Sequence, residues 1–316
     1  MRKEATMSNS LLLKGLDGSN PLAFLAALGT ALTSHRFCPE TRLSWQSGAG
    51  GWRPVLTGFD GSDDEFAVAL YETLAAAEAS PFDIEKKLPF SCDAFRVALL
   101  RNQSKSIPGE RRSVDLLAGF GSDAHRNKDQ DFADSSLRMV RSGDSSGNGL
   151  LAYALAMRKQ IVADDLRRAL FSTWDYRDED FSLRWDPVED QRYALRWYDP
   201  SPQANKKHSL RTMRGANILA LEALALFPVQ PHSKGATTTG FSKHGERRER
   251  VEYFIWPIWE SPVTVDVVRS LLCVPELHML KPQRANVRQI GIVEIYRCER
   301  IAPSKYYKNF SPAQPA

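Results

Sequence analysis

Gly143-Asp-Ser-Ser-Gly147 matches the G-x-S-x-G pattern, in which a serine on a tight strand-to-helix turn is exposed as a nucleophile. A helix is expected to follow from Leu150, but residues 134–141 are too polar for the buried strand that must precede the turn. A Ser/Gly loop is the simpler reading, and a serine hydrolase using Ser145 stands as the enzymatic alternative. The six histidines, His35, His125, His208, His232, His244 and His278, never fall at i,i+4 on a helix. Zinc and iron sites need three or four convergent ligands, so no metal site is expected.

No G-x-x-x-x-G-K-[ST] phosphate loop occurs, and Gly48-Ala-Gly-Gly51 lacks the following helix of a dinucleotide site. Asp63-Asp64-Glu65 fits a helix N-terminus and Asp178-Glu179-Asp180 a turn, places where acids are common without any metal. The chain therefore implies no cofactor, and it reads as a non-catalytic binding or assembly subunit.

Basic and aromatic residues remain. Arg184, Arg192 and Arg196 lie beside tryptophans in a near-repeat, Ser182-Leu-Arg-Trp-Asp-Pro187 against Ala194-Leu-Arg-Trp-Tyr-Asp-Pro200. As a hairpin pairing Leu183 with Leu195, this repeat puts the large apolar residues on one face and the arginines on the other. Arg211 and Arg214 stand at a helix start, and Arg247 and Arg248 in a polar loop. Together Arg184, Arg196, Arg211, Arg214, Arg247 and Arg248 are the candidate nucleic-acid-binding residues, able to track a phosphate backbone. The competing reading makes each a structural, ion-paired surface residue.

Charge distribution agrees with the placement. Residues 201–316 hold 17 Lys/Arg against 9 Asp/Glu, whereas residues 1–200 hold 25 against 29, so the net +4 of the chain is C-terminal in origin. A local basic surplus attracts phosphate or acidic surfaces.

The elements that would position these residues follow from patterning. In a chain of 316 residues that is 42% apolar and 25% charged, a large core can form. Asn20 and Pro21 read as the cap and first residue of a helix with Leu22, Leu25, Leu28 and Leu32 along one stripe. Strands are expected at 42–46 and 53–57, at 251–256 with Pro257 as the stop, and at 291–297. Helices are expected at 65–80, 92–102, 137–141, 150–159, 213–227 and 263–272. Residues 309–316 read as a frayed tail. The fold class is α+β, with helices packed on short antiparallel strands in two intimately packed lobes. Residues 1–148 form the mostly helical lobe with a short sheet, and residues 149–316 the basic, tryptophan-rich α+β lobe. Cys38, Cys92, Cys273 and Cys298 are widely spaced and read as reduced thiols. Leu11–Leu13 is too short for a signal-peptide core, and no apolar run approaches a membrane span, so the cytoplasm is the expected compartment.

The segment Leu16-Asp-Gly-Ser-Asn-Pro-Leu-Ala-Phe-Leu-Ala-Ala-Leu-Gly29 resembles the opening of CRISPR-associated proteins from type I effector loci of the I-G (formerly I-U) kind. These include a helicase-associated extension family and reduced large-subunit proteins. The resemblance continues in Gly119-Phe-Gly-Ser-Asp123, Leu183-Arg-Trp-Asp-Pro187, Arg214-Gly-Ala-Asn217, Phe227-Pro228, Trp256-Pro-Ile-Trp-Glu260 and Val268-Arg-Ser-Leu-Leu272. It implies a non-catalytic subunit or accessory protein of a type I CRISPR interference system, contacting nucleic acid or the helicase-nuclease. The implied partners are crRNA or target DNA and other CRISPR effector proteins, in a system where base pairing reads the sequence. The resemblance carries no catalytic residue. A structural scaffold without nucleic-acid contact is the remaining alternative.

Overall fold

The computed structural model describes residues 10–48, 50–85, 88, 90–104, 111–126, 131–140, 149–179, 181–189, 211–233, 235–246, 250–302 and 308–316. Its first part runs β1 (Ser10–Leu12), α1 (Pro21–Ser34), β2 (Arg42–Gly48), β3 (Gly51–Thr57), α2 (Asp63–Ala76), α3 (Cys92–Gln103) and α4 (Arg112–Phe120). Next come β4 (Gly121–Arg126), β5 (Phe132–Asp134), α5 (Leu150–Gln160), α6 (Ala163–Phe171) and α7 (Arg214–Ala223). The chain closes with β6 (Val229–His232), β7 (Gly235–Thr238), β8 (Phe241–His244), β9 (Val251–Trp259), α8 (Val265–Leu272), α9 (Arg284–Gln289), β10 (Ile292–Ile301), β11 (Asn309–Phe310) and β12 (Gln314–Pro315). The class is α+β, with every strand pairing antiparallel.

Helix α1 is the axis of the core. Asn20 accepts the Ala23 N–H at 3.1 Å and Pro21 occupies the first turn, so the helix starts where capping chemistry predicts. Of its residues only Leu32 is not buried, which explains the run of Ala and Gly between the leucines: a helix enclosed on all sides needs small residues where neighbours cross closely. At Gly29 a Cβ would stand 1.7 Å from the Leu219 carbonyl oxygen of α7. The two helix backbones therefore touch, and only glycine permits that approach.

One hydrophobic cluster runs from Leu11 to Phe310 and takes in residues on both sides of position 148. Its aromatic centre stacks Phe24 between Trp45 at 5.8 Å and Trp256 at 5.6 Å. Indole N–H groups tie the cluster to backbone: Trp256 donates to the Gly18 carbonyl and Trp259 to the Leu43 carbonyl, each at 2.8 Å. The order of one sheet is β1-β3-β2 and that of the largest β11-β10-β9-β8 with β12 also on β10, while β4-β5 and β6-β7 form two-stranded sheets.

Four sequence expectations are corrected. Strand β9 does not stop at Pro257 but continues to Trp259, with Pro257 opposite Ile295 of β10. The pairing of β8 with β9 ends at Phe254, so Pro257 faces no strand on that side that its missing N–H would have to serve. Residues 309–316 are not a frayed tail: Phe310 is fully buried and stacks on Phe254 at 5.4 Å, and β11 and β12 both pair with β10. Residues 137–140 form no helix, because Leu137, Met139 and Val140 are buried in an irregular segment. The expected first hairpin arm is also irregular. Phe181 and Arg184 have φ of 69° and 60°, and no strand survives such turns. The second arm, 194–200, lies outside the described residues.

Among the described residues no helix is long and apolar enough to cross a membrane.

Candidate functional site

The loop before α1 is built by hydrogen bonds to two other elements. Gly15 N–H donates to Leu170 of α6 at 2.8 Å and Gly18 N–H to Trp52 of β3 at 2.8 Å. Asp17 folds the loop on itself by accepting the Ser19 N–H and hydroxyl, both at 2.9 Å. Arg53 of β3 donates to the Leu16 carbonyl at 2.9 Å and stands 3.7 Å from Asp17. A cleft of about 580 Å³ opens beside this loop.

Asp186 forms part of its lining and is almost wholly buried. Asn20 donates to it at 3.0 Å, the Tyr176 hydroxyl at 2.8 Å and the Val188 N–H at 3.1 Å. Burial pushes the carboxyl pKa above its usual value, outweighing the three donors that favour the ion. Asn20 thus does two jobs, capping α1 with its oxygen and holding Asp186 with its amide.

Aromatic residues line the cleft beside Asp186. Trp174 donates to the Ala169 carbonyl at 2.9 Å and meets Tyr176 edge-on at 5.9 Å. Tyr176 has φ of 47° and, with Phe181 and Arg184, completes the set of non-glycine residues with positive φ among the described ones. Such conformations cost about 1–3 kcal/mol each and persist where the surroundings over-determine them. Here the segment is bent so that Trp174, Tyr176 and Asp186 all border one cleft, which exposed Lys14, Pro312 and Ala313 also line.

The candidates named from sequence are placed differently. Arg214 begins α7, but its N–H is held by Asp178 at 2.8 Å and its guanidinium stands 3.9 Å from Asp165 and over the Phe181 ring at 5.9 Å. Those two aspartates also grip Arg168, whose side chain is only 6% exposed and which Asp175 joins at 2.7 Å. Arg214 is thereby part of a largely buried ionic network. Arg211 lies 3.5 Å from Glu179 with its side chain 40% exposed, and Arg184 is half-buried between buried Leu183 and Trp185. These three share one neighbourhood around the start of α7. Arg196, Arg247 and Arg248, like Arg192 and Ser145, lie outside the described residues.

Lys14, Arg53, Trp174, Tyr176 and Asp186 were not singled out by sequence reasoning as site residues. Trp174 and Tyr176 lie in a bent segment that is not a strand, so their spacing was no signal of a shared face. The convergence of Asn20 with Asp186 is a tertiary fact with no local mark. Among the described residues no group of three or more His, Cys, Asp or Glu side chains is arranged to hold a metal ion. No protein-family model and no curated protein matches this chain.

Proposed function

We propose that this chain is a non-catalytic subunit or accessory protein of a type I CRISPR interference system in the cytoplasm, and that it contacts nucleic acid through the Trp174 cleft. One observation carries the reading: the cleft combines Trp174 and Tyr176 with Lys14 and Arg53, the pairing of stacking surface and cation that single strands use. It forms where the segments 16–29 and 183–187, both part of the resemblance to I-G proteins, meet through Asn20 and Asp186. Other segments of that resemblance join the same frame, since Leu183 N–H donates to Asn217 at 3.1 Å and Trp256 to Gly18 at 2.8 Å.

The contact is to bases and backbone of an unpaired strand, with sequence left to the guide. Arg184 and Arg211 are proposed as further backbone contacts outside the cleft lining, whereas Arg214 holds the fold. The test is a fluorescence-anisotropy titration of a short single strand against wild type and Trp174→Ala with Lys14→Ala. Stacking contributes about 1–3 kcal/mol per base, so the double variant binds at least about tenfold more weakly. Unchanged affinity in a folded double variant removes the cleft from nucleic-acid contact and leaves the scaffold reading.

A further inference from the structure

At the other end of α1, about 20 Å away by the length of a 14-residue helix, a second cleft of about 330 Å³ lies among the C-terminal end of α1, the start of α4, α7 and the start of α8. Arg36, Arg111, Arg112 and Arg269 line it together with Asp115, Glu222 and Asp266. Arg112 grips Glu222 with two hydrogen bonds, and the two side chains are 9% and 4% exposed. Asp115, also buried, takes both Arg269 at 2.8 Å and Arg111 at 3.3 Å. Two buried carboxylates thus organise three arginines, and the third acid, Asp266, is exposed.

Positive charge is in excess here. Burial tends to raise the Glu222 pKa, but Arg112, followed by Arg158 and Arg36, overcomes this and holds it below the usual carboxylate value. Arg158, on α5, has its own pKa lowered by burial and then by the proximity of Arg112 and Arg36. The first turns of α4 and α8 border the same cleft, and neither Arg111 nor Thr264 supplies a side-chain cap. Asp115 and Asp266 already stand in those first turns, so an added anion is a matter for the arginines.

We propose that this cleft is a binding site for a phosphate group, held by Arg36, Arg111 and Arg269, and sized for a mononucleotide. Its volume falls at the small end of the roughly 300–1,000 Å³ typical of small-ligand sites, and guanidinium forks match phosphate oxygens in pairs. The phosphate comes either from a free nucleotide or from the 5′ end of a strand. The site is independent of the Trp174 cleft and of the function proposed for it.

Thermal melting and titration calorimetry with inorganic phosphate, at constant ionic strength set with chloride, test the proposal. Phosphate raises the melting temperature of wild type in a saturable way, and Arg36→Ala with Arg111→Ala weakens phosphate binding at least tenfold. Arg111→Gln, at a side chain 79% exposed, gives a partial loss and serves if the double variant does not fold. Trp174→Ala keeps the full phosphate response, so the two clefts fail or succeed separately. A nucleoside 5′-monophosphate that outbinds a 5′-phosphorylated oligonucleotide identifies the free ligand, and the reverse order, with no binding of the 5′-hydroxyl strand at this site, identifies the strand end. No response to phosphate beyond that to chloride, or an undiminished response in the arginine variants, overturns the proposal.

Discussion

The side-chain amide of Asn20 donates to Asp186 at 3.0 Å across 166 positions of sequence, while the oxygen of the same side chain caps α1. A single residue therefore fixes both the start of the central helix and the lining of the Trp174 cleft. Asn20→Ala removes a cap worth about 1 kcal/mol and a hydrogen bond to a buried carboxyl worth about 1.5–3 kcal/mol. The expected loss is about 2–4 kcal/mol in denaturant unfolding, and Asn20→Ser, which keeps a capping oxygen, recovers about 1 kcal/mol of it.

Asp186 sets a pH dependence of definite sign. Its folded-state pKa lies above the usual value because of burial, so the folded protein holds this proton more tightly than the unfolded chain does. The protonated form supports the fold at low pH, and stability falls as pH rises from the unfolded value of about 3.9 through the folded one. Asp186→Asn lacks this ionisation. The variant's stability relative to wild type therefore increases with pH across that window, as urea midpoints at a series of pH values will show. A difference that is flat or falls with pH contradicts the assignment.

Glu222 has the opposite sign. Arg112, with Arg158 and Arg36, lowers its pKa against the effect of burial, so its contribution is present above the unfolded value of about 4.3 and is lost as pH falls through the folded value. Glu222→Gln leaves the Arg112 guanidinium buried without its anion, a change that costs about 3–5 kcal/mol near neutral pH. Equilibrium unfolding at neutral and acidic pH should show that the deficit shrinks on acidification.

Phe310 makes the C-terminal segment part of the core. It is fully buried and stacks on Phe254 and Phe241, and removing a buried phenyl ring costs about 3–5 kcal/mol. Phe310→Ala is expected to lower the unfolding free energy by that amount in denaturant titration, whereas Gln314→Ala, at an exposed position, leaves stability within about 0.5 kcal/mol.

Local chemistry was legible in the sequence, and tertiary geometry was not. Asn20 with Pro21, the strand positions of β2 and β3 and the burial of α1 are encoded within a few residues and appear in the fold, although Leu43, Ser44 and Trp45 of β2 are all buried and Leu32 of the leucine stripe is the one α1 residue that is not. The continuation of β9 through Pro257 was hidden because it depends on where β8 begins, at Phe241 opposite Phe254. Phe310 looked like a tail residue because its partners, Phe241 and Phe254, lie far back in the chain. The period-two pattern at 181–185 predicted burial correctly, with Leu183 and Trp185 inside, yet positive φ at Phe181 and Arg184 makes the backbone a bent segment and not a strand. Arg214 looked like a surface cation because the aspartates that hold it, Asp165 and Asp178, sit 49 and 36 positions upstream. The Trp174 cleft draws on four separate stretches of chain, and no one of them carries the pattern of a site.

Photo-cross-linking is the most direct test of nucleic-acid contact at the Trp174 cleft. A short single strand carrying a photoreactive base, irradiated with the protein and mapped by peptide mass spectrometry, is predicted to cross-link to Trp174 or Tyr176, with loss of most of the yield in Trp174→Ala. Cross-links confined to other surfaces, with the Trp174→Ala yield unchanged, would contradict the account.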